Sequence, residues 1–163
     1  MDEAVAFMVA AEGADRIHDF VPTLITTVRG TTVESTTLGK VVFGYKDKAN
    51  FTDKDNCWYV DFSSNSNIVT LRQMIDGVSY ERAAYEPDDY SELNLTNDAV
   101  IHIETTSEGM LSVYVYQGEN KYVVAENFDA KAYNDGKAIT GKMGVGTNNA
   151  LHIQFNDFAV IVN

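Results

Sequence analysis

Tyr59, Asp61, Arg72, His102, Tyr114 and Tyr116 are the residues of this chain whose types and spacing fit one chemistry, the holding of a saccharide. Sugars rest their C–H faces on flat aromatic rings, and charged side chains read their hydroxyls through charge-assisted hydrogen bonds. Each of the six falls on the phase opposite to the apolar residues of a short alternating segment. With Trp58, Val60 and Phe62 inward, Tyr59 and Asp61 point outward. With Val69 and Leu71 inward, Arg72 points outward. With Ile101 and Ile103 inward, His102 and Glu104 point outward, and Leu111, Val113 and Val115 leave Ser112, Tyr114 and Tyr116 outside. The six are expected to form a polar-aromatic platform on an outer sheet face. The competing reading is plain sheet stability, because tyrosines have high strand propensity and make cross-strand pairs.

Other chemistries find less support. Asp53 and Asp55, with Asp47, Asn50 and Asn56 nearby, offer the oxygens that calcium takes. They lack the glycine and distal glutamate of an EF-hand loop, so a solvated turn competes with calcium as the only cofactor candidate. Asp157 and Glu12 are weaker candidates of the same kind. His102 and His152 read as surface histidines rather than zinc ligands. Cys57, the only cysteine, allows no intrachain disulfide and reads as a buried inert thiol. There is no G-x-S-x-G, and the three histidines are scattered. Gly141 to Gly146 is not a dinucleotide-binding loop, and strand glycines explain it better. Asn50 to Thr52 and Asn94 to Thr96 fit the N-glycosylation triplet, which arises often by chance.

The elements that must position these residues are β-strands. In Gly39 to Arg72 a period of two recurs three times: Val41, Phe43 and Tyr45; then Trp58, Val60 and Phe62; then Val69 and Leu71. Turn formers separate them. Before this stretch lie two further strands, Ala4 to Ala10 and Phe20 to Arg29. After it, Asp76-Gly77 marks a hairpin between LRQMI and VSYERAA. Glu86 to Asn97 is an acidic loop. Val100 to Thr105 and Met110 to Tyr116 form the next hairpin, and Lys121 to Glu126 follows. Phe128 to Ala138 is a loop with a short helical option. Gly141 to Thr147 and Leu151 to Val162 close the domain. About eleven short strands at this spacing predict an all-β sandwich or barrel in one domain spanning 1–163.

Composition bounds the partners. The 163 residues suffice for one domain with a good core. Nine Tyr, eight Phe and one Trp with two Pro argue for a folded chain. A net charge of −12 disfavours nucleic acid and anionic membrane surfaces, since both are bound by Lys and Arg. No stretch approaches the ~18 apolar residues of a membrane helix, and no secretory leader follows Met1.

The run GKVVFGYKDKANFTDKDNCWYVDF resembles the corresponding run of concanavalin A-like jelly rolls. More narrowly it is similar to family-66 carbohydrate-binding modules and 3-keto-disaccharide hydrolase-type domains. IVTLRQMIDGVSYERA, VIHIETTSEGMLSVYVYQGE, GKMGVGT and LHIQFNDFAVI are similar to later segments of those domains, in the same order, so the resemblance spans Asp19 to Val162. It implies a jelly-roll β-sandwich of two antiparallel sheets. It implies a non-catalytic carbohydrate-binding module, with the terminal fructose of fructans as first ligand. Such domains begin with a strand pair carrying a Trp that is not seen here. The expectation is therefore a piece of a larger extracellular or cell-surface protein, whose other domains are its partners. Related family-16 glycoside hydrolases carry E-x-D-x-x-E on one strand, and this chain has none. A structural or adhesive surface domain is the first alternative, and a sugar-acting hydrolase built from separate strands is the second.

Overall fold

The computed structural model describes residues 8–9, 22–30, 38–46, 55–147 and 153–162. In them lie eleven strands: β1 Met8–Val9, β2 Pro22–Gly30, β3 Gly39–Tyr45, β4 Cys57–Phe62, β5 Val69–Ile75, β6 Val78–Tyr85, β7 Ala99–Thr105, β8 Met110–Gln117, β9 Asn120–Asp129, β10 Lys142–Thr147 and β11 Ile153–Val162. They form a six-stranded sheet in the order β1-β10-β3-β4-β5-β6 and a five-stranded sheet in the order β11-β2-β7-β8-β9. Every pairing is antiparallel. This is the expected jelly-roll β-sandwich. Of the strand expected over Ala4 to Ala10, only Met8–Val9 falls among the described residues. No helix of the described residues is long and apolar enough to cross a membrane.

One side of each sheet supplies the core. Trp58, Val60, Phe62, Val69 and Leu71 of the larger sheet meet Leu24, Val28, Ile101, Ile103, Leu111, Val113 and Val115 of the smaller one. Burying each such side chain contributes roughly 1.5–3 kcal/mol. Edge-on rings join the layers: Trp58 to Phe128 at 6.4 Å and Phe62 to Phe155 at 6.0 Å. Gly39 must be glycine, because a Cβ there would stand 2.2 Å from Phe62 Cζ. The acidic loop shields one end of the core, with Leu93 and Leu95 buried. Leu95 is held by its carbonyl, which accepts from Gly30 N at 2.7 Å, and by its N–H, which donates to Asn67 Oδ1 at 2.7 Å.

The structure corrects two local expectations. Val41, Phe43 and Tyr45 do not share a face. Gly44 takes φ +62°, the pairing of β3 with β10 slips there, and Tyr45 joins Val42, Cys57 and Tyr59 on the opposite side. An extra residue in a strand turns all that follows to the other face. The loop expected from Phe128 starts later, since β9 runs to Asp129. Its helical option is the 3-10 turn Ala130–Tyr133.

Candidate functional site

The outer face of the six-stranded sheet carries a charged network built by cross-strand register. Lys40 stands opposite Asp61, and Asp61 opposite Thr70. In the neighbouring row Val42, Tyr59, Arg72 and Glu81 follow one another across β3, β4, β5 and β6. Residues directly opposite on one face have Cβ atoms about 5 Å apart, so short polar groups touch. The hairpin turn fixes the last pairing. Asp76 and Gly77 both have positive φ, as a two-residue turn of this hand requires, and counting back from Ile75 opposite Val78 puts Arg72 opposite Glu81.

Arg72 is the centre of the network. Its Nε donates to Asp61 Oδ2 at 2.9 Å, and its Nη2 lies 3.7 Å from Glu81 Oε2. The Tyr59 hydroxyl shares a hydrogen bond with Ser79 Oγ at 2.5 Å, and the Lys40 ammonium sits 5.3 Å from the Tyr59 ring centre. Lys40, Tyr59 and Asp61 are each under a tenth exposed, while the Arg72 and Glu81 side chains are 30% and 56% exposed. The floor is therefore dry and the rim is open. Burial pushes the Asp61 carboxyl above its ordinary pKa, against Arg72 and Lys40, which draw it down. Burial also raises the Tyr59 phenol. The arrangement offers a donor fork beside an exposed acceptor, which is what a pair of neighbouring hydroxyls needs.

The six residues expected to make one platform do not converge. Tyr59, Asp61 and Arg72 lie on the outer face of the larger sheet. His102, Tyr114 and Tyr116 lie on β7 and β8 of the smaller sheet, on the opposite side of the sandwich. Those three form their own cluster, with ring centres 6.0–6.3 Å apart. Lys121 Nζ caps Tyr114 at 3.9 Å, and the Tyr114 hydroxyl donates to Glu126 Oε1 at 3.0 Å. His102 Nε2 is 2.9 Å from Glu104 Oε1 without the alignment of a hydrogen bond. The rings are tilted 53–77° to one another, so they offer no common plane.

Of the cation candidates, Asp47, Asn50, Asp53 and Glu12 lie outside the described residues, as does His152. Asp55 Oδ1 accepts from the Tyr45 hydroxyl at 3.3 Å. Among the described residues no three acidic, Cys or His side chains are placed to hold a metal. Cys57 is buried against Val42 and Tyr59, and its thiol is pushed up to about 12, chiefly by burial. The sequence reading missed Lys40, Ser79 and Glu81. Glu81 was within reach of the Asp76-Gly77 register.

No family model matches the chain, and no curated protein matches it. Solved structures do. A carbohydrate-binding module, CBM66, from Bacillus subtilis aligns over 98% of this chain and 83% of its own, with TM-score 0.64 and 11% identity. Chicken galectin 2 aligns over 97% of this chain and 100% of its own, with TM-score 0.53 and 9% identity. A GH43 protein from Bacillus licheniformis is matched over 98% of this chain but only 32% of its own, with TM-score 0.56 and 12% identity. At these identities the likeness is one of fold, and it establishes the jelly-roll sandwich.

Proposed function

We propose that this chain is a non-catalytic carbohydrate-binding module that holds a sugar on the outer face of its six-stranded sheet. The observation that carries this is Arg72, fixed by buried Asp61 on one side and facing exposed Glu81 on the other. A guanidinium already oriented by a carboxylate loses little rotamer freedom on binding a diol. The fold likeness to a carbohydrate-binding module and a galectin supports the class. Terminal fructose of a fructan such as levan is the ligand to try first. In this reading the module is part of an extracellular or surface protein and concentrates an attached enzyme or surface on a polymer. Linkage of a weak binder to a second site multiplies its effect.

The test is isothermal titration with levan, inulin and a panel of neutral glycans, using the wild type, Arg72→Ala and Glu81→Gln. Binding of a neutral glycan that falls at least about tenfold in both variants, with the fold intact, supports the proposal. No binding by folded wild type, or binding that both variants retain, refutes it.

A further inference from the structure

Across the edge strand β6 from Glu81, its two neighbours build a second feature. Arg82 is clamped between two tyrosines, its guanidinium 4.1 Å from the Tyr133 ring centre and 5.3 Å from that of Tyr80. Tyr133 stacks on Phe128 at 5.6 Å and 11°, which ties the clamp to the core through Trp58. Arg82 Nε and Nη2 both donate to Gln73 Oε1, at 3.2 and 3.1 Å, and Gln73 Nε2 donates to the Tyr133 carbonyl at 2.8 Å. The guanidinium is thus locked in plane and position. Yet no carboxylate of a described residue pairs with it, in a chain with 24 acidic and 12 basic residues. Tyr80 and Tyr133 are 44% and 47% exposed.

We propose that this clamp is a second binding site, separate from the Arg72 face, for a sugar that carries a carboxylate, a hexuronate unit. One nitrogen edge of Arg82 is spent on Gln73, and its other N–H groups are the planar fork that a carboxylate takes in bidentate fashion. The half-exposed Tyr80 and Tyr133 rings that border it add apolar surface that a sugar ring can rest against and that a small anion leaves bare. The net charge of −12 opposes an acidic ligand at long range, but this repulsion is screened beyond about 8 Å at physiological salt.

The experiment titrates the whole chain with trigalacturonate, with its methyl ester and with acetate, following the Arg82 Nε–H and the Tyr80 and Tyr133 ring signals by NMR. The expected result is that trigalacturonate binds and shifts these signals. The methyl ester binds at least about tenfold more weakly, and acetate does not compete in the same range. Arg82→Lys keeps the charge, loses the fork and weakens trigalacturonate about tenfold, while Arg82→Ala removes the preference for acid over ester. Arg72→Ala leaves that preference intact, so failure of the neutral-sugar site and failure of this one are told apart. Acid and ester binding alike, neither binding, acetate competing equally, or an unchanged Arg82→Lys overturns the proposal.

Discussion

Arg72→Ala tests the electrostatics of the larger sheet's outer face directly. The substitution removes the guanidinium that donates to Asp61 at 2.9 Å and leaves the carboxylate on a buried floor. A hydrogen bond to a charged group contributes about 1.5–3 kcal/mol, and stranding one partner of a fully buried pair costs about 3–5 kcal/mol. Arg72 is 30% exposed, and Lys40 and Thr70 still draw the Asp61 carboxyl down, so the lower range applies. The lost contact to Glu81, which is 56% exposed, adds little. The expected loss at pH 7 is about 2 kcal/mol, or roughly 4–8 °C in Tm for a chain of this length.

The pH dependence carries the sharper test. In the wild type the folded Asp61 pKa already lies above its ordinary 3.8. In the window between the two values the native state holds more protons than the unfolded state, so stability attributable to this group falls as pH rises through the folded pKa. Taking away Arg72 raises that pKa further. The variant's deficit should therefore be largest near pH 7 and shrink as pH falls through its Asp61 pKa, leaving under about 1 kcal/mol once the carboxyl is neutral in both proteins. Urea unfolding followed by the fluorescence of Trp58, the single tryptophan and 3% exposed, reads this out. In an Asp61→Asn background the same substitution should cost at least about 1 kcal/mol less at pH 7. A deficit equal at pH 7 and pH 4, or no coupling to Asp61→Asn, refutes the reasoning.

Three further outcomes follow from the packing. Gly39→Ala places a methyl 2.2 Å from Phe62 Cζ and should lower stability by about 1–3 kcal/mol in urea; an unchanged midpoint would show that Phe62 moves freely. Leu111→Ala, fully buried between the sheets, should cost about 2–5 kcal/mol by the same assay, and a loss under about 1 kcal/mol would contradict its central place. Cys57, with its thiol pushed up to about 12 under burial, should resist a thiol reagent in the native state and react at once in strong denaturant, and stoichiometric native labelling within minutes would contradict this.

The fold was legible because its information is local. Trp58, Val60 and Phe62 alternate without interruption, and Asp76-Gly77 fixes both a turn and a register. That register alone puts Glu81 opposite Arg72, so a count along the hairpin would have completed the network. Which strands share a sheet was not legible. β2 lies between β11 and β7, and β10 between β1 and β3, pairings that join segments roughly 70 to 140 residues apart. So Tyr59 and Tyr114, alike in phase and in neighbours, end on opposite sides of the molecule. Gly44 hid a second change, because alternation read through a glycine does not reveal a positive φ.

The burial of β4 bears most on function. All six of its residues are buried, so its outward residues are not the solvated set that alternation implies. Desolvating Asp61 and Lys40 costs stability, and apolar residues of similar size in their place are often neutral or better. What the buried carboxylate does supply is a fixed direction for Arg72, whose open side meets solvent beside Glu81. A ligand reading hydroxyls there meets donors already held in place, and the cost of ordering a long side chain falls on folding rather than on binding. On the smaller sheet, Tyr114 and Tyr116 are tilted 58° apart, and Lys121 and Glu126 already engage Tyr114. Tyr114 on that face is already engaged on its ring and its hydroxyl, whereas the Arg72 face keeps a donor and an acceptor turned outward.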